Sequence, residues 1–585
     1  MCGIIGELNI SKKISLNEKE KFKKKIKFLK NRGPDSQGYW SFKDQVQFGF
    51  RRLSILDLSK RGNQPFLDKK NNVTLVFNGE IYNYKNLYNR LLKKGAKFKT
   101  KSDTEVIIQL YIFEGLSGLK KLRGMFSFAI CDTKRKKIFF LRDPHGIKPL
   151  YYFRNKETFL FCSTVKGLLQ FENIDKKINK NSLNFFYFFG CVKETDTIFE
   201  KISSFKPGHL YSLEFNGKFN EKKFFTVDDF FKNPVLKFIN IKDKFKKNLE
   251  QHLQSDVKVG FLLSSGLDSS VLLGLASEIK KNLVSFTLGF KNFKGTLKDE
   301  IPLSHKFSKK IGVNHKYTYL SNPKILSGFK SYFANMDQPS YDGFNTFLIT
   351  RFIKDHKIKV AISGLGSDEI LMGYNTFFRI KLLWYLRFLF QNFFMRLLIS
   401  KLSIFFGKNK YFIFLRLLSI TNNSFQLYLL LRSKKENLAK IKIQNIKKLL
   451  NEKFDMPNNL SINEKIIYFE TKIYLKNQLL KDVDWASMAN SIEMRIPYVD
   501  YDFIKFLAAS DLLGKINKKS FFKKIFILPK YLINRKKTGF AIPYSKIVEL
   551  YNKRNKSDFK DWTDVSIYEY FKSVGIKHNK YNYEN

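Results

Sequence analysis

The sequence predicts two mixed helix-and-strand domains, a layered α/β or α+β domain over residues 1–210 and an α/β domain with a parallel sheet over residues 211–585. Three observations support this fold class. The chain has 585 residues, which is too many for one compact core. Its first part contains short apolar runs that end at Gly, Asn, Asp or Pro, as strands do at turns. From about residue 243 onward, apolar strands alternate with helical patterns, an order typical of a parallel sheet.

Individual segments carry these patterns. In the first domain, VTLVFNGEIYNY (73–84), GMFSFAICD (124–132) and KIFFLRDPHG (137–146) each predict a strand that ends in a turn. In the second domain, residues 257–281 predict a strand, a loop of small residues and a helix, and residues 358–370 repeat the strand-to-loop pattern. Residues 375–460 predict a helical insert that is rich in Lys and aromatic residues. Because ligands of parallel sheets gather at the carboxyl ends of the strands, both loops are candidate sites.

Composition narrows the classes of protein that fit. The four cysteines, Cys2, Cys131, Cys162 and Cys191, are far apart and form no CxxC pair, which argues against a disulfide framework or a structural zinc site. The N-terminus lacks a secretory pattern, so we expect a cytoplasmic protein. The net charge of +54 is spread along the chain without a nucleic-acid-binding motif, so we expect no specific nucleic-acid partner.

The segment at residues 382–400 is apolar enough to be compared with a membrane span. Arg387, Gln391 and Arg396 interrupt it, and burying these groups in hydrocarbon would be costly. We therefore expect an amphipathic helix packed on the second domain and no transmembrane segment. A basic amphipathic helix also fits weak contact with an anionic membrane surface, and this alternative stays open.

The second residue is a candidate nucleophile. If Met1 is removed, Cys2 carries a thiol and a free α-amine on the same residue. An α-amine titrates near about pH 8, so it can act as the base that activates the adjacent thiol. This chemistry requires no His or Asp partner.

Seven motifs follow Cys2 in order through the first domain. They are RGPDSQG (32–38), GFRRLSILDLS (49–59), GNQP (62–65), FNGEIYNY (77–84), SDTEVI (102–107), RGMFSFAI (123–130) and RDPHGIKPLYY (142–152). The series resembles the glutaminase domain of class II glutamine amidotransferases and covers nearly all of the first 210 residues. The resemblance implies an N-terminal-nucleophile (Ntn) hydrolase fold, an α+β sandwich of two antiparallel sheets between helices. It also implies that Cys2 hydrolyses glutamine to glutamate and ammonia.

The same resemblance implies roles for five further residues, and each role makes chemical sense. Arg52 would bind the α-carboxylate of glutamine, for which a guanidinium is a good partner. Glu80 and Asp103 would bind its α-ammonium. Thiolate attack on the side-chain amide generates an oxyanion, which needs preorganised donors. The Asn78 amide and the Gly79 backbone N–H match the donors of the family.

The loop FLLSSGLDSS (261–270) is the candidate site of the second domain. Small residues let backbone N–H groups approach an anion, and the N-terminus of the following helix adds partial positive charge. The loop resembles the pyrophosphate loop, SGG[LV]DSS, of ATP pyrophosphatases, with Ser265 in place of the middle glycine. A second loop, SGLGSDE (363–369), resembles the SG[ED]G[SG]DE loop of asparagine synthetases. These resemblances imply an adenine nucleotide α-hydrolase-like (PP-loop) domain that binds ATP and Mg²⁺.

The two loops supply the residues that the resemblance implies for ATP and metal. Asp268 and Asp368 would hold Mg²⁺, because hard oxygen ligands suit that ion. The ATP-binding residues would be Leu263, Ser264, Ser265, Gly266, Asp268, Ser269, Leu288, Ser363, Gly364 and Lys519. Neighbouring lysines between residues 515 and 524 compete with Lys519, so which of them serves the phosphates stays open.

Two later segments point to one reaction. VDWASMANSIEMRIPYVD (483–500) and RKKTGFAIP (535–543) resemble the closing segments of glutamine-hydrolysing asparagine synthetases. In that family, ATP adenylates the side-chain carboxylate of aspartate, and ammonia from the first domain displaces AMP to give asparagine. The resemblance implies the same reaction here.

The acceptor carboxylate is the open question. Leu365 stands where aspartate-using enzymes carry an acidic residue, so the main alternative is the same chemistry on another carboxylate, such as a sugar acid of a surface polysaccharide. The retained Cys2 disfavours closure of a β-lactam ring, which needs no ammonia. A non-catalytic binding protein is disfavoured because Cys2, Asp268 and Asp368 are all present. The oligomeric state also stays open, with a homodimer among the alternatives.

Overall fold

Three β-sheets organise the chain, and the computed structural model describes them within residues 2–231, 240–405, 409–535 and 542–576. Two sheets are six-stranded and antiparallel, and the third is five-stranded and parallel. Part of the predicted motif at 535–543, residues 536–541, lies outside the described residues.

The two antiparallel sheets form the N-terminal half. Their strands are β1 (Cys2–Asn9), β2 (Ser36–Phe42), β3 (Val46–Arg52), β4 (Phe66–Asp68), β5 (Val73–Ile81), β6 (Gly124–Asp132), β7 (Lys137–Arg142), β8 (Tyr151–Arg154), β9 (Thr158–Cys162), β10 (Ile202–Ser204), β11 (His209–Glu214) and β12 (Phe219–Lys223). The strand orders are β10-β8-β9-β1-β3-β2 and β12-β11-β7-β6-β5-β4. Apolar side chains from both sheets, including Ile4, Phe48, Val76 and Phe140, form the buried layer between them. Side chains alternate between the faces of a strand, so each sheet has a second face for helices.

Helices cover the outer faces of both sheets. They are α1 (Leu16–Lys27), α2 (Tyr84–Lys93), α3 (Asp103–Gly118), α4 (Val165–Leu168) and α5 (Lys180–Phe189). α1 begins with a capping box between Ser15 and Glu18, and Ser102 caps the start of α3. α1 packs on β3 of the first sheet and α3 packs on β5 of the second. The predicted sandwich of two antiparallel sheets between helices is therefore confirmed.

The first domain extends beyond the predicted boundary at residue 210. β11 crosses this position, and β12 continues the second sheet to Lys223. The boundary at 210 is therefore too early. The physical reason is that β12 is an edge strand with mostly exposed polar residues, so its sequence lacks the apolar pattern that predicts a strand.

The parallel sheet forms the centre of the C-terminal half. Its elements are α6 (Ile241–His252), β13 (Val259–Leu262), α7 (Leu267–Ile279), β14 (Val284–Phe290), α8 (Ile301–Lys310), β15 (Asn314–Leu320), α9 (Asn322–Ser327), α10 (Phe329–Asn335), α11 (Phe344–Asp355), β16 (Val360–Ile362) and α12 (Ser367–Ile370). The strand order is β15-β14-β13-β16, followed at the edge by a strand from later in the chain. The neighbours β13 and β16 run parallel, so the loops that leave their carboxyl ends meet at one edge. This arrangement confirms the predicted α/β fold.

The predicted insert at residues 375–460 is helical. It contains α13 (Asn375–Tyr385), α14 (Arg387–Gln391), α15 (Phe393–Phe405), α16 (Lys410–Leu418), α17 (Ser424–Arg432) and α18 (Ile443–Leu450). Among the described residues, no helix is both long and apolar enough to cross a membrane.

The chain then returns to the parallel sheet. It continues through α19 (Ile462–Phe469), a π-helical stretch (Glu470–Leu480), α20 (Lys481–Met488), β17 (Glu493–Arg495), α21 (Tyr501–Ala509), α22 (Lys518–Ile525), α23 (Lys530–Ile533), α24 (Tyr544–Asn555) and α25 (Trp562–Ser573). β17 pairs with β16 and is the last strand of the sheet. α20 and β17 also contact the N-terminal half, as the ion pairs described below show.

Candidate active sites

Cys2 lies at the start of β1, opposite Arg52 of β3. Its backbone nitrogen donates to Asn78 Oδ1 at 2.9 Å, and its carbonyl oxygen accepts from Arg32 Nε at 3.1 Å. Once Met1 is removed, this nitrogen is the α-amine that the sequence predicts as the base. Burial raises the pKa of the Cys2 thiol, so the thiol needs such a base to become a nucleophile.

Asn78 and Gly79, the predicted oxyanion donors, follow one another near the end of β5. Asn78 is fully buried, and its Nδ2 finds no acceptor among the described residues. Such a donor is costly unless a ligand satisfies it. Gly79 has φ +152°, and a Cβ atom at this position would lie 2.1 Å from the carbonyl oxygen of Met125. Only glycine therefore fits at this point of the strand.

The Arg52 guanidinium is held by the loop that follows β3. It donates to the carbonyl oxygen of Ser59 at 2.7 Å and to Asn63 Oδ1 at 2.9 Å, and it also contacts the carbonyl oxygens of Leu56 and Asp57. A Cβ atom at Gly62 would lie 2.4 Å from this guanidinium. The loop thus fixes Arg52 beside the nucleophile, where binding a carboxylate stays our prediction.

Glu80 and Asp103 are both buried near the end of β5. Asp103 Oδ2 accepts from the backbone N–H of Ile81 at 3.0 Å. Glu80 Oε2 accepts from Arg495 at 3.0 Å, whereas its Oε1 has no partner among the described residues. Burial raises the pKa of Asp103 to about 6 and raises the pKa of Glu80 well above its usual range. Two such carboxyl groups would be stabilised in their charged form by a ligand ammonium.

This site predicts a pH dependence of glutamine binding. The carboxyl group of Asp103, whose pKa is about 6, must be ionised to bind an ammonium, so affinity for glutamine should rise as pH increases from about 5 to 7. Asp103→Asn should weaken binding and flatten this dependence. The measurement is calorimetric titration of glutamine into a Cys2→Ala background, which removes ionisation of the thiol from the readout. Equal pH dependence with and without Asp103 would contradict the assignment.

Buried ion pairs join the N-terminal half to α20. Arg32 binds Asp484 in a bidentate manner, with Nη1 donating to Oδ2 at 2.8 Å and Nη2 donating to Oδ1 at 3.3 Å. Lys148 Nζ lies 3.4 Å from Oδ1 of the same carboxylate. All three side chains are almost fully buried. Since Arg32 also binds the carbonyl oxygen of Cys2, one arginine links the nucleophile to the second half of the chain.

β17 makes a second set of buried contacts between the halves. Arg495 donates to Glu80 at 3.0 Å and to Glu493 at 2.7 Å, and none of these side chains is appreciably exposed. The carboxylate predicted to bind the ammonium of glutamine is therefore held by a residue of the C-terminal half.

Removing Asp484 should destabilise the joined halves. Asp484→Ala leaves Arg32 and Lys148 buried without the carboxylate that they share, and breaking a buried pair in this way costs about 3–5 kcal/mol. We expect a lower thermal midpoint by circular dichroism. The control is Glu549→Ala, which breaks an exposed pair with Lys546 and should change the midpoint far less. Equal midpoints for the two variants would show that the buried pairs of Asp484 contribute nothing to stability.

The loop between β13 and α7 has the form of an anion-binding loop. The backbone N–H of Ser264 donates to Ser269 Oγ at 3.0 Å, and that of Gly266 donates to Ser264 Oγ at 3.1 Å. α7 begins directly after Gly266, so its N-terminus faces the loop. The Ser265 hydroxyl, which replaces the glycine of the usual pattern, is buried without a partner among the described residues. Burying this hydroxyl without a partner costs free energy unless a ligand satisfies it.

Asp268 and Asp368 come together from the loops after β13 and β16. Lys518 Nζ contacts both carboxylates, at 2.6 Å from Asp268 Oδ1, and Ser367 Oγ donates to the same Asp268 oxygen at 2.5 Å. Burial raises the pKa of Asp268 although Lys518 opposes the shift. A Cβ atom at Gly373 would lie 1.9 Å from Asp368 Oδ1, so a larger residue there would displace this carboxylate.

These two carboxylates fit Mg²⁺ in the manner of nucleotide sites. Mg²⁺ commonly binds one or two carboxylates together with substrate phosphates. Among the described residues, no group of three or more His, Cys, Asp or Glu side chains could hold a metal by itself. Asp268 and Asp368 would therefore share the ion with a bound nucleotide.

One cavity of about 1460 Å³ contains this whole region. Its lining includes every residue predicted to bind ATP or metal, namely Leu263, Ser264, Ser265, Gly266, Asp268, Ser269, Leu288, Ser363, Gly364, Asp368 and Lys519. Lys519 is exposed, whereas its neighbour Lys518 is the lysine that contacts the two aspartates. A phosphate role for Lys519 stays a prediction, and Lys518 joins it as a candidate.

Several residues of the two sites had no predicted role. They are Lys148, Asp484, Glu493, Arg495 and Glu300. Glu300 lines the cavity, and burial raises its pKa to about 7. Lys518 is one of the lysines between residues 515 and 524 among which the sequence leaves the choice open. Asp484, Glu493 and Arg495 belong to the recognised segment 483–500, where a few charged residues within a mostly apolar and small-residue sequence were the available signal.

Comparisons with known proteins agree with this arrangement. Residues 1–225 match the glutamine amidotransferase domain family, and residues 240–566 match the asparagine synthase family. "Asparagine synthetase [glutamine-hydrolyzing] 1" of Bacillus subtilis is 29% identical, with 93% of this chain and 87% of that protein covered. A putative asparagine synthetase of Methanocaldococcus jannaschii is 32% identical, with 64% of this chain and 76% of that protein covered.

The comparison with solved structures gives no further support for the family. The matched structure is the glutamine phosphoribosylpyrophosphate amidotransferase of Bacillus subtilis, complexed with ADP and GMP. The match covers 54% of this chain and 65% of the amidotransferase chain. The TM-score is 0.29 at 15% identity, which is too low to support an argument.

The fold and the two sites define an ATP-dependent ligase with a glutamine amidotransferase domain. The chain belongs to the asparagine synthase family. The resemblance on which the sequence predictions rest is thereby confirmed.

Proposed function

We propose that this enzyme is a glutamine-dependent asparagine synthetase, in which ammonia freed at Cys2 reaches an aspartyl-adenylate in the second domain. One observation carries the proposal. In β17, Met494 lines the ATP cavity, while its neighbours Glu493 and Arg495 make the buried pairs that hold Glu80 of the glutaminase site. Side chains alternate between the two faces of a strand, so this strand separates the two sites by a single layer of residues.

α20 repeats this arrangement. Val483 lines the ATP cavity, and the next residue, Asp484, binds Arg32 of the glutaminase half. Ammonia released at Cys2 would thus have to cross only this layer of residues to reach the cavity. Such a route excludes water, which would otherwise protonate ammonia and remove its nucleophilic lone pair.

Glutamine hydrolysis follows from the residues around Cys2. The α-amine takes the thiol proton, and the thiolate attacks the carbonyl carbon of the glutamine side-chain amide. Asn78 Nδ2, a buried donor, and the Gly79 N–H stabilise the oxyanion. Ammonia leaves with the proton returned by the α-amine, and water then hydrolyses the thioester to release glutamate and restore the thiol.

Amide synthesis follows in the cavity of the second domain. The loop at 263–266 lines the cavity, and the N-terminus of α7, with its partial positive charge, would face the phosphates of ATP. Asp268 and Asp368 would hold Mg²⁺, which when bound neutralises phosphate charge. A carboxylate oxygen of aspartate attacks the α-phosphorus and pyrophosphate leaves. Ammonia then attacks the acyl carbon, and AMP leaves as the amide forms.

A specific observation supports a second acceptor class. Leu365 lines the cavity with an apolar side chain, where the loop pattern SG[ED]G[SG]DE that this segment resembles has an acidic residue. The alternative is therefore the same chemistry on another carboxylate, such as a sugar acid of a surface polysaccharide. In both cases ATP and glutamine are cytoplasmic metabolites, and we assign the reaction to the cytoplasm.

The test compares acceptors in one assay. The Met1-processed enzyme is incubated with glutamine, ATP and Mg²⁺, and with aspartate or glucuronate, while glutamate, AMP, pyrophosphate and amide are followed together. Equal formation of asparagine, AMP and pyrophosphate with aspartate is the expected result. If aspartate yields no AMP and glucuronate does, the sugar-acid alternative replaces the proposal. If neither acceptor yields AMP while glutamate accumulates, both assignments of the acceptor are wrong.

A further inference from the structure

The helical insert exposes an unusual amount of apolar surface. Of the 22 large apolar residues that are exposed in the described part of the chain, 12 lie between residues 378 and 411. We call these residues the insert surface. They are Phe378, Leu382, Tyr385, Phe388, Leu389, Phe393, Phe394, Met395, Leu397, Leu398, Leu402 and Tyr411. Single exposed apolar residues are ordinary, but a concentrated patch of this kind indicates an interaction surface.

The insert surface is organised along the helices. On α15, Phe394, Leu398 and Leu402 follow one another at spacings of four residues, and on α13 Phe378 and Leu382 do the same. Such spacing places side chains on one face of a helix. On each helix that face is exposed to solvent, whereas Ile399 of α15 and Phe377 of α13 are buried against the protein. The expected amphipathic helices are therefore present, but they also carry an apolar face outward.

The charge of the same segment has a single sign. Between Glu369 and Glu436 the sequence contains eleven Lys or Arg residues and no Asp or Glu. Arg379, Arg396 and Lys401 are exposed among the apolar residues of the insert surface. An apolar face with basic residues beside it is the pattern of helices that lie in the headgroup region of an anionic bilayer.

We propose that the insert surface binds the surface of a membrane that contains anionic lipids. Phe393 and Phe394, which are 70% and 79% exposed, would enter the boundary between headgroups and acyl chains, and the basic residues would contact lipid phosphates. Trp384, which the Arg387 guanidinium covers at 4.0 Å from its ring centroid, is suited to the interface between water and lipid.

Two alternatives, a membrane-spanning helix and a second copy of the chain, fit the insert surface less well than a membrane surface does. α15, with 13 residues, is shorter than the roughly 20 residues that a spanning helix needs. A second copy of the chain would bring two basic surfaces together without a carboxylate from either segment to neutralise them. An anionic bilayer offers both an apolar interior and the opposite charge.

The experiment separates insertion from general attraction of a basic protein to anions. The full-length enzyme is mixed with vesicles of phosphatidylcholine, with or without phosphatidylglycerol, and bound protein is measured by flotation. The variant Phe393→Ser/Phe394→Ser removes apolar area without changing charge. Its matched control is Leu16→Ser/Leu92→Ser, which removes two exposed apolar residues from the N-terminal half. Glutaminase activity reports whether each variant is folded.

The enzyme should bind the anionic vesicles, and the phenylalanine variant should bind at least tenfold more weakly than the control variant. Arg396→Gln/Lys401→Gln should also weaken binding, and added salt should weaken it further because salt screens these charges. Absence of vesicle binding by the unaltered enzyme would overturn the proposal, as would equal binding by the phenylalanine variant and its control. A dimer in sedimentation velocity that the phenylalanine variant loses, without vesicle binding, would instead assign the surface to a second copy.

Discussion

Replacing Cys2 with alanine is expected to reduce glutamine-dependent amide synthesis on the order of 10³-fold or more, since the thiol is the only group that forms the covalent intermediate. Synthesis from added ammonium chloride should continue at a rate close to that of the unaltered enzyme. Ammonia enters the second step directly, and Asp268, Asp368 and the loop at 263–266 are untouched by the change. The variant thus separates the two half-reactions.

The measurement is amide formation with glutamine and with ammonium chloride, each as a function of concentration. Cys131→Ala is a matched control, because Cys131 is a second buried thiol that lies in the core between the two sheets. The control should retain glutamine-dependent synthesis. Retention of that activity in Cys2→Ala would place the nucleophile elsewhere, and loss of ammonia-dependent synthesis would mean that the change disturbs the second domain.

Local motifs explain why most of the two sites could be predicted. Anion-binding loops depend on neighbouring small residues and on a helix that starts at once, so Gly266 and Asp268 appear in one short segment. Gly79 beside Asn78 is equally local, because the backbone conformation and the close approach of Met125 require glycine at that point. Chemistry that needs a particular backbone leaves its signature within a few residues of sequence.

Contacts between distant segments could not be predicted in this way. Arg495 and Glu80 are separated by 415 positions, and Arg32 and Asp484 by 452. Either arginine could pair with many acids on sequence grounds, and only the packing of α20 and β17 on the first domain selects the partner. The sequence could not decide between Lys518 and Lys519 for the same reason. Which of these two side chains on α22 faces the aspartates depends on how the helix packs.

The remaining prediction with a large effect concerns the metal-binding carboxylates. Asp368→Asn keeps the shape of the side chain but removes its charge, and so weakens the position where Mg²⁺ and the phosphates of ATP would meet. Metal stabilisation of phosphoryl-transfer charge is worth several kcal/mol, which corresponds to a loss of at least about 10²-fold in rate. AMP and pyrophosphate formation should fall by this factor with either nitrogen source. Glutaminase activity should persist, because Cys2, Asn78 and Gly79 keep their contacts in the first domain.

Two controls make this result specific to the metal position. Asp355→Asn changes an acidic residue that is exposed at the end of α11, and it should leave both activities unchanged. Calorimetric titration of Mg²⁺ with a non-hydrolysable ATP analogue provides a readout apart from turnover, and Asp368→Asn should weaken binding of the ion. If the ion binds equally well while adenylation is lost, Asp368 acts on the phosphates through its neighbour Lys518, which contacts both carboxylates. If adenylation is unchanged, the cavity of the second domain binds ATP without this carboxylate, and Lys518 must neutralise the phosphates instead.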